Sequence, residues 1–312
     1  MQKLIKYWNE FWFKRYDPVS TSIFRISLGL LISVMFICNY VNWERFYDAD
    51  GMISLHETVP ILNNVPEDAC SIFHFTEGKV PMKVYWWISM IAALFFTMGF
   101  QTRLATIALY IIQSSMIHRN YMIVNGDDLV IRMVLFYSCF FPLGHCLSID
   151  NWIKKKWFKN SPATEFPHIW PIRLMQINVA LIYAISLPYK LIGDVAWING
   201  QAIYYTATSN MWGRFPFPEA FCMCDCLLSK IMTYGTVLIE GAFPLLVWFK
   251  ETNLIVTVLA ASLHLGIAVF VPNVLFFTLA MVCSFWVFVQ PETTHWLLNK
   301  LKLILKKLIP NF

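Results

Sequence analysis

Five ionisable residues sit inside strongly apolar stretches of this chain: Arg25, Arg132, Lys190, Glu240 and His264. Two more, Asp127 and Asp128, stand at the edge of another such stretch. On insertion scales a charged side chain at mid-bilayer costs about 2.5–3.5 kcal/mol, so each of these residues needs a partner or a job. Lys190 is the sharpest case. It closes an apolar run two residues after Pro188 and precedes the Trp/Gly/Tyr-rich segment Trp197–Tyr205. One reading of it is a lysine that snorkels to the interface. The other is a lysine in a partly dry site, where it acts as a base or holds an anion. For Arg25, Arg132 and Glu240 the expected role is an interhelical ion pair that fixes helix register. Asp128 and Arg132 are four apart and are expected to pair on one helix, which leaves Asp127 to face Lys190. His264 reads first as a hydrogen-bonded core histidine.

The elements that must position these residues are membrane helices. Of the 312 residues 58% are hydrophobic, 17% aromatic and 14% charged, with a mean hydropathy of +0.55. Soluble domains carry about 25% charged residues. The apolar runs predict eight spans: 20–41, 84–100, 104–117, 129–143, 174–192, 231–249, 254–271 and 274–289. The third and fourth are short for a bilayer core of about 30 Å, which takes about 20 helical residues. A transmembrane domain over 19–290 is thus predicted. An amphipathic interfacial helix over 1–18 precedes it and a basic amphipathic tail over 291–312 follows it. The first eighteen residues carry Glu10 and Asp17 and lack the apolar core of a signal peptide.

Lysine and arginine bias sets the orientation. The segments before the first span, between the fourth and fifth, and after the eighth are basic, so both termini are expected in the cytoplasm. The long loops 42–81 and 193–228 then lie outside, on the same side as Asn125–Asp128 and Lys190. The net charge of +5 belongs to this membrane pattern and is no sign of nucleic-acid binding. Cys70, Cys222, Cys224 and Cys226 fall in the outer loops, where an oxidising compartment permits a bridge. Cys38, Cys139, Cys146 and Cys283 read as apolar packing residues. The Cys-x-Cys-x-Cys run lacks a second cluster at zinc-like spacing, so no metal is expected. There is no P-loop and no Gly-rich dinucleotide motif.

Several local patterns together resemble the HTTM membrane domain, which is shared with vitamin K-dependent gamma-carboxylase. They are Tyr16-Asp17-Pro18, Phe24-Arg25-Ile26, Gly99-Phe100-x-Thr102-Arg103 and His118-Arg119-Asn120. Next come Asn125-Gly126-Asp127-Asp128-Leu129 with Arg132, and Phe141-Pro142-Leu143-Gly144. Lys190-Leu191 with Trp197-x-x-Gly200-x-Ala202-x-Tyr204-Tyr205, and the late His264, complete the set. The resemblance runs from about residue 16 to 290. It implies that Lys190 is the base that deprotonates a reduced, vitamin K-like quinone, with Asp127 to orient or charge-balance it and His264 in the pocket. It places Asn125, Trp197 and Tyr204 at the cofactor. Two departures matter. The carboxylase's Asn-Asn-His reads Asn125-Gly126-Asp127 here, and its large lumenal substrate-binding region has no counterpart.

The fold expected is therefore an all-α polytopic bundle in the inner membrane of a bacterium. The leading function is a quinol-dependent enzyme that modifies a peptide or small substrate at the outer face. The alternative is a non-enzymatic membrane partner in the maturation, immunity or export of a secreted peptide. Small bacterial HTTM proteins of that kind resemble this chain in size and in the Trp-x-x-Gly-x-Ala-Ile-Tyr-Tyr run.

Overall fold

A computed structural model describes residues 1–48, 51–52, 71–75, 80–157, 166–209, 213 and 226–308. The described residues are helical, with one isolated antiparallel bridge, Arg15 to His168, and no strand. The chain divides into two compact units. One comprises Met1–Trp12 with Ile172–Phe312, and the other Phe13–Pro171.

Within 13–171 the principal helices are α2 (Val19–Asn39), α5 (Met82–Met98), α6 (Thr102–Arg119) and α7 (Gly126–Ser138). The short helices α3 (Trp43–Tyr47) and α4 (Ile72–Phe75) lie in the stretch that separates α2 from α5. The fully buried Phe24, Leu28 and Ile32 recur on one face of α2 at helical spacing. Gly29 lets α2 approach α5 closely, because a Cβ there would lie 2.2 Å from Thr97 Oγ1. Trp86 Nε1 donates to Phe36 O at 2.7 Å and Trp43 Nε1 to Met82 O at 3.0 Å, so the buried indoles leave no stranded donor. Gly99 ends α5 at φ +68°, and a Cβ there would also strike the Arg25 guanidinium. Asp150, on α8 (Ile149–Trp157), accepts from the backbone N–H groups of Gln101 and Thr102 and so caps α6 from a distant segment.

The other unit holds α1 (Gln2–Phe13) up to Trp12, the body of α9 (Trp170–Gly193), and the short α10 (Val195–Ile198) and α11 (Ala202–Thr208). It continues with α12 (Leu227–Leu246), α13 (Lys250–Phe270), α14 (Leu275–Ser284) and α15 (Pro291–Leu308). On α9 the buried residues are Ile172, Met175, Gln176, Val179, Ala180 and Tyr183, a helical stripe that stops one turn before Ser186. A Cβ on Gly241 of α12 would lie 3.2 Å from Leu187 of α9, closer than an ordinary van der Waals contact. The two terminal segments are helical, with Leu4 and Trp8 on α1 and Trp296 and Leu301 on α15 exposed.

A helix coincides with each of the eight predicted spans, but not all are membrane-length. Among the described residues Val19–Asn39, Trp170–Gly193 and Lys250–Phe270 are long and apolar enough to cross a bilayer. A fourth candidate, Pro272–Val287 with Pro291–Lys307, bends by 109°. At about 1.5 Å per residue, the 13 residues of α7 fall short of a bilayer core of about 30 Å. The long apolar helices fit a membrane protein.

Two expected charge pairings are corrected. Arg25 is held by backbone carbonyls rather than by a carboxylate. Its guanidinium donates to Leu143 O at 2.5 Å, Leu147 O at 2.5 Å and Cys146 O at 3.4 Å. The segment 143–147 has turn geometry, which leaves carbonyls free for a fully buried cation. No Asp128–Arg132 ion pair forms either. Asp128 instead accepts from Asn125 N at 3.0 Å, in a capping box, and from Gln113 Nε2 at 3.0 Å.

Candidate functional site

The site is built from α9, α12 and α13. Below the last buried turn of α9, Tyr183, Ser186 and Lys190 follow one another at spacings of three and four. On α12 Phe243 and Glu240 have the same relation. Tyr183 and Phe243 have ring centroids 4.8 Å apart. One turn along, Ser186 Oγ lies 3.4 Å from Glu240 Oε2. At the end of the ladder Lys190 Nζ donates to both carboxylate oxygens of Glu240, 2.5 Å from Oε1. The Glu240 side chain is 9% exposed and that of Lys190 24%. The Lys190 ammonium also stands 4.8 Å from the centre of the Trp197 ring, a cation–π contact. Pro188 removes one backbone N–H just before this point, which leaves a local break in the hydrogen-bond ladder of α9.

The pair opens onto a cavity of about 530 Å³. One face of α12 lines it with Met232, Gly235, Thr236, Ile239 and Glu240, and one face of α13 with Ser262, Leu263, Gly266, Ile267 and Phe270. Ile203, Thr206 and Ala207 of α11, together with Trp197, close another side. Lys190 and Glu240 are the charged groups among the described lining residues, and most of the rest is hydrocarbon. Such a space suits a lipophilic molecule with a single polar end.

Of the expected site residues, Lys190 and Trp197 come together here. His264 is buried but is not one of the lining residues. Its Nε2 lies 2.6 Å from the Tyr183 hydroxyl, and its ring packs on Phe277 and Phe285. That is the hydrogen-bonded core histidine, although its buried Nδ1 finds no hydrogen-bond partner. Tyr204 sits on α11 next to the lining residue Ile203 and packs on Tyr205 at 5.3 Å. Asn125 and Asp127 belong to the other unit. Asn125 caps α7 there, and Asp127 lies half-buried in the first turn. Burial, then the neighbouring Asp128 charge, raises the Asp127 carboxyl to about 6. Burial and the charges of Asp128 and Asp127 push the Tyr47 hydroxyl up as well. The bridge expected among the outer cysteines falls largely outside the described residues, and Cys226 is a free thiol.

The sequence reading missed Glu240 as a site residue. The signal was present, since two neighbouring predicted spans each carry one ionisable group, of opposite sign, and an intramembrane charge requires a partner. Tyr183 gave no such signal.

No family model, curated protein or solved structure matches the chain. The site must be read from its own chemistry.

Proposed function

We propose that this chain is a polytopic inner-membrane protein of the HTTM, carboxylase-like type, with eight helical crossings and both termini in the cytoplasm. It takes a lipophilic reduced quinone into the α9–α12–α13 cavity and uses Lys190 in proton transfer at the ligand's hydroxyl. The observation that carries this reading is an ion pair, Lys190–Glu240, in the wall of an apolar cavity. A hydroquinone supplies an acidic hydroxyl on an apolar body, and the residues present fit both parts.

The pair explains how a lysine serves as a base. Bound to both oxygens of Glu240, Lys190 rests as the ammonium, which cannot accept a proton. An apolar ligand that expels water from the cavity raises the cost of keeping two charges. Passing one proton from Nζ to a Glu240 oxygen yields a neutral amine beside a neutral carboxylic acid. The amine of Lys190 would then be free to accept the proton of a hydroxyl bound beside it. As the ammonium once more, Lys190 is the positive charge beside the oxygen that gave the proton up. Trp197 fixes the Nζ position through its ring face.

Oxygen uptake by the purified protein supplied with a reduced naphthoquinone tests this. Wild type is expected to exceed the spontaneous rate. Lys190→Ala, folded by size-exclusion chromatography, is expected to fall to that rate. An undiminished rate in Lys190→Ala contradicts the role given to the lysine.

A further inference from the structure

Two glycines line the cavity on its facing helices, Gly235 on α12 and Gly266 on α13. A Cβ built on either meets no atom within 4 Å. This is not how Gly29 and Gly241 behave, where another helix presses against the missing side chain. Glycine in a helix interior weakens the helix relative to alanine. Here nothing in the protein occupies the room that each glycine leaves. Both glycines line the same cavity, whose charged lining residues are Lys190 and Glu240.

The charge at that end is balanced. Glu240 uses both oxygens on Lys190, and the remaining described lining residues are uncharged. An anionic headgroup would have to displace a carboxylate that is itself 9% exposed and leave it with no counter-charge. A neutral hydroxyl or carbonyl needs only to hydrogen-bond to the pair as it stands.

We infer that Gly235, Gly266 and Glu240 set the specificity of this cavity. The glycines give it the width for a ring-bearing body, and Glu240 restricts it to uncharged headgroups by neutralising Lys190. The inference rests on the ligand-binding reading above and adds which residues of the cavity wall select that ligand, by the width at the two glycines and by charge at Glu240.

The test uses two probes matched in ring and chain, para-octylphenol and para-octylbenzoate, at pH 7 with the full chain in nanodiscs. Wild type is expected to bind the phenol about tenfold or more tighter than the benzoate, a gap of about 1.4 kcal/mol. Gly235→Ala and Gly266→Ala are expected to keep or raise the thermal midpoint while phenol affinity drops several-fold. Glu240→Gln, which leaves Lys190 uncompensated, is expected to reverse the preference. Equal binding of the two probes by wild type overturns the charge assignment. Unchanged phenol affinity in both alanine variants overturns the width assignment. If wild type binds neither probe, the ligand-binding reading itself fails, which is a different result. The wild-type comparison and the glycine variants decide the inference whether or not Glu240→Gln folds.

Discussion

The two units bury positive charge in different ways. In 13–171 Arg25 is fully buried and Arg119 is 3% exposed, and both hold backbone carbonyls. Arg25 grips the turn 143–147, while Arg119 donates to Tyr47 O at 3.0 Å and to Asp48 O. A planar guanidinium with several fixed donors suits that task, since it ties a connecting segment to a helix and leaves nothing for a ligand. In the unit containing Lys190 the cation is a compact ammonium on a flexible stem. It meets one carboxylate and one indole at the wall of a cavity. A cation sealed by carbonyls holds the fold. A cation paired with a carboxylate in a cavity wall is the one given the proton-transfer role proposed above.

The largest effect is expected from breaking the sealed site. Arg25→Leu strands several buried carbonyls at about 1–3 kcal/mol each, so loss of the folded state is expected on size-exclusion chromatography and thermal melts. A folded Arg25→Leu with an unchanged midpoint would erase the contrast between the units. Next comes the ion pair. Glu240→Leu leaves Lys190 uncompensated and is expected to cost about 3 kcal/mol, whereas the double variant Lys190→Met/Glu240→Leu is expected to regain most of that loss. The double variant is also expected to lose quinol-dependent oxygen uptake. Stability recovered without activity separates the pair's chemistry from its packing.

A smaller effect concerns pH. The Asp127 carboxyl, raised from 3.8 to about 6 by burial and then by Asp128, favours its protonated form in the folded state. The contribution of Asp127 to stability is therefore expected to be fully present below about pH 4, to be lost as pH rises from about 4 through 6, and to be absent above. Asp127→Asn is expected to flatten that window in a melting series against pH. A slope that survives the substitution assigns it to another group. The smallest effect is a gain, since Gly235→Ala is expected to add about 0.5–1 kcal/mol to thermal stability.

Much of the fold was legible because its signal is periodic. Apolar runs locate every helix that coincides with a predicted span, and the amphipathic ends at 2–13 and 291–308 follow from lysine and tryptophan spacing. The charges were harder to read. Arg25 looked like half of an ion pair because sequence displays side-chain partners and hides backbone carbonyls, and only the turn at 143–147 makes those carbonyls available. Asp128 looked like a partner for Arg132 by spacing, but its place at the third residue of α7 made it a cap. Lys190 stands out because a lysine in hydrocarbon is conspicuous, whereas Trp197 was expected beside it only from the family resemblance; the two lie 4.8 Å apart. Glu240 is expected to form an interhelical ion pair and it does, with Lys190 of α9, but spacing alone does not name that partner. The width that Gly235 and Gly266 open is a property of two packed helices and has no signature in one chain segment.

The central claim is that a lipophilic molecule occupies the space beside Lys190 and Glu240. Quantitative mass spectrometry of lipids that co-purify with wild type and with Gly266→Leu, which narrows that space, tests it most directly. One quinone-class species is expected to be enriched in the wild type and depleted in the variant, with bulk phospholipid unchanged. Identical lipid profiles from two folded proteins would contradict it.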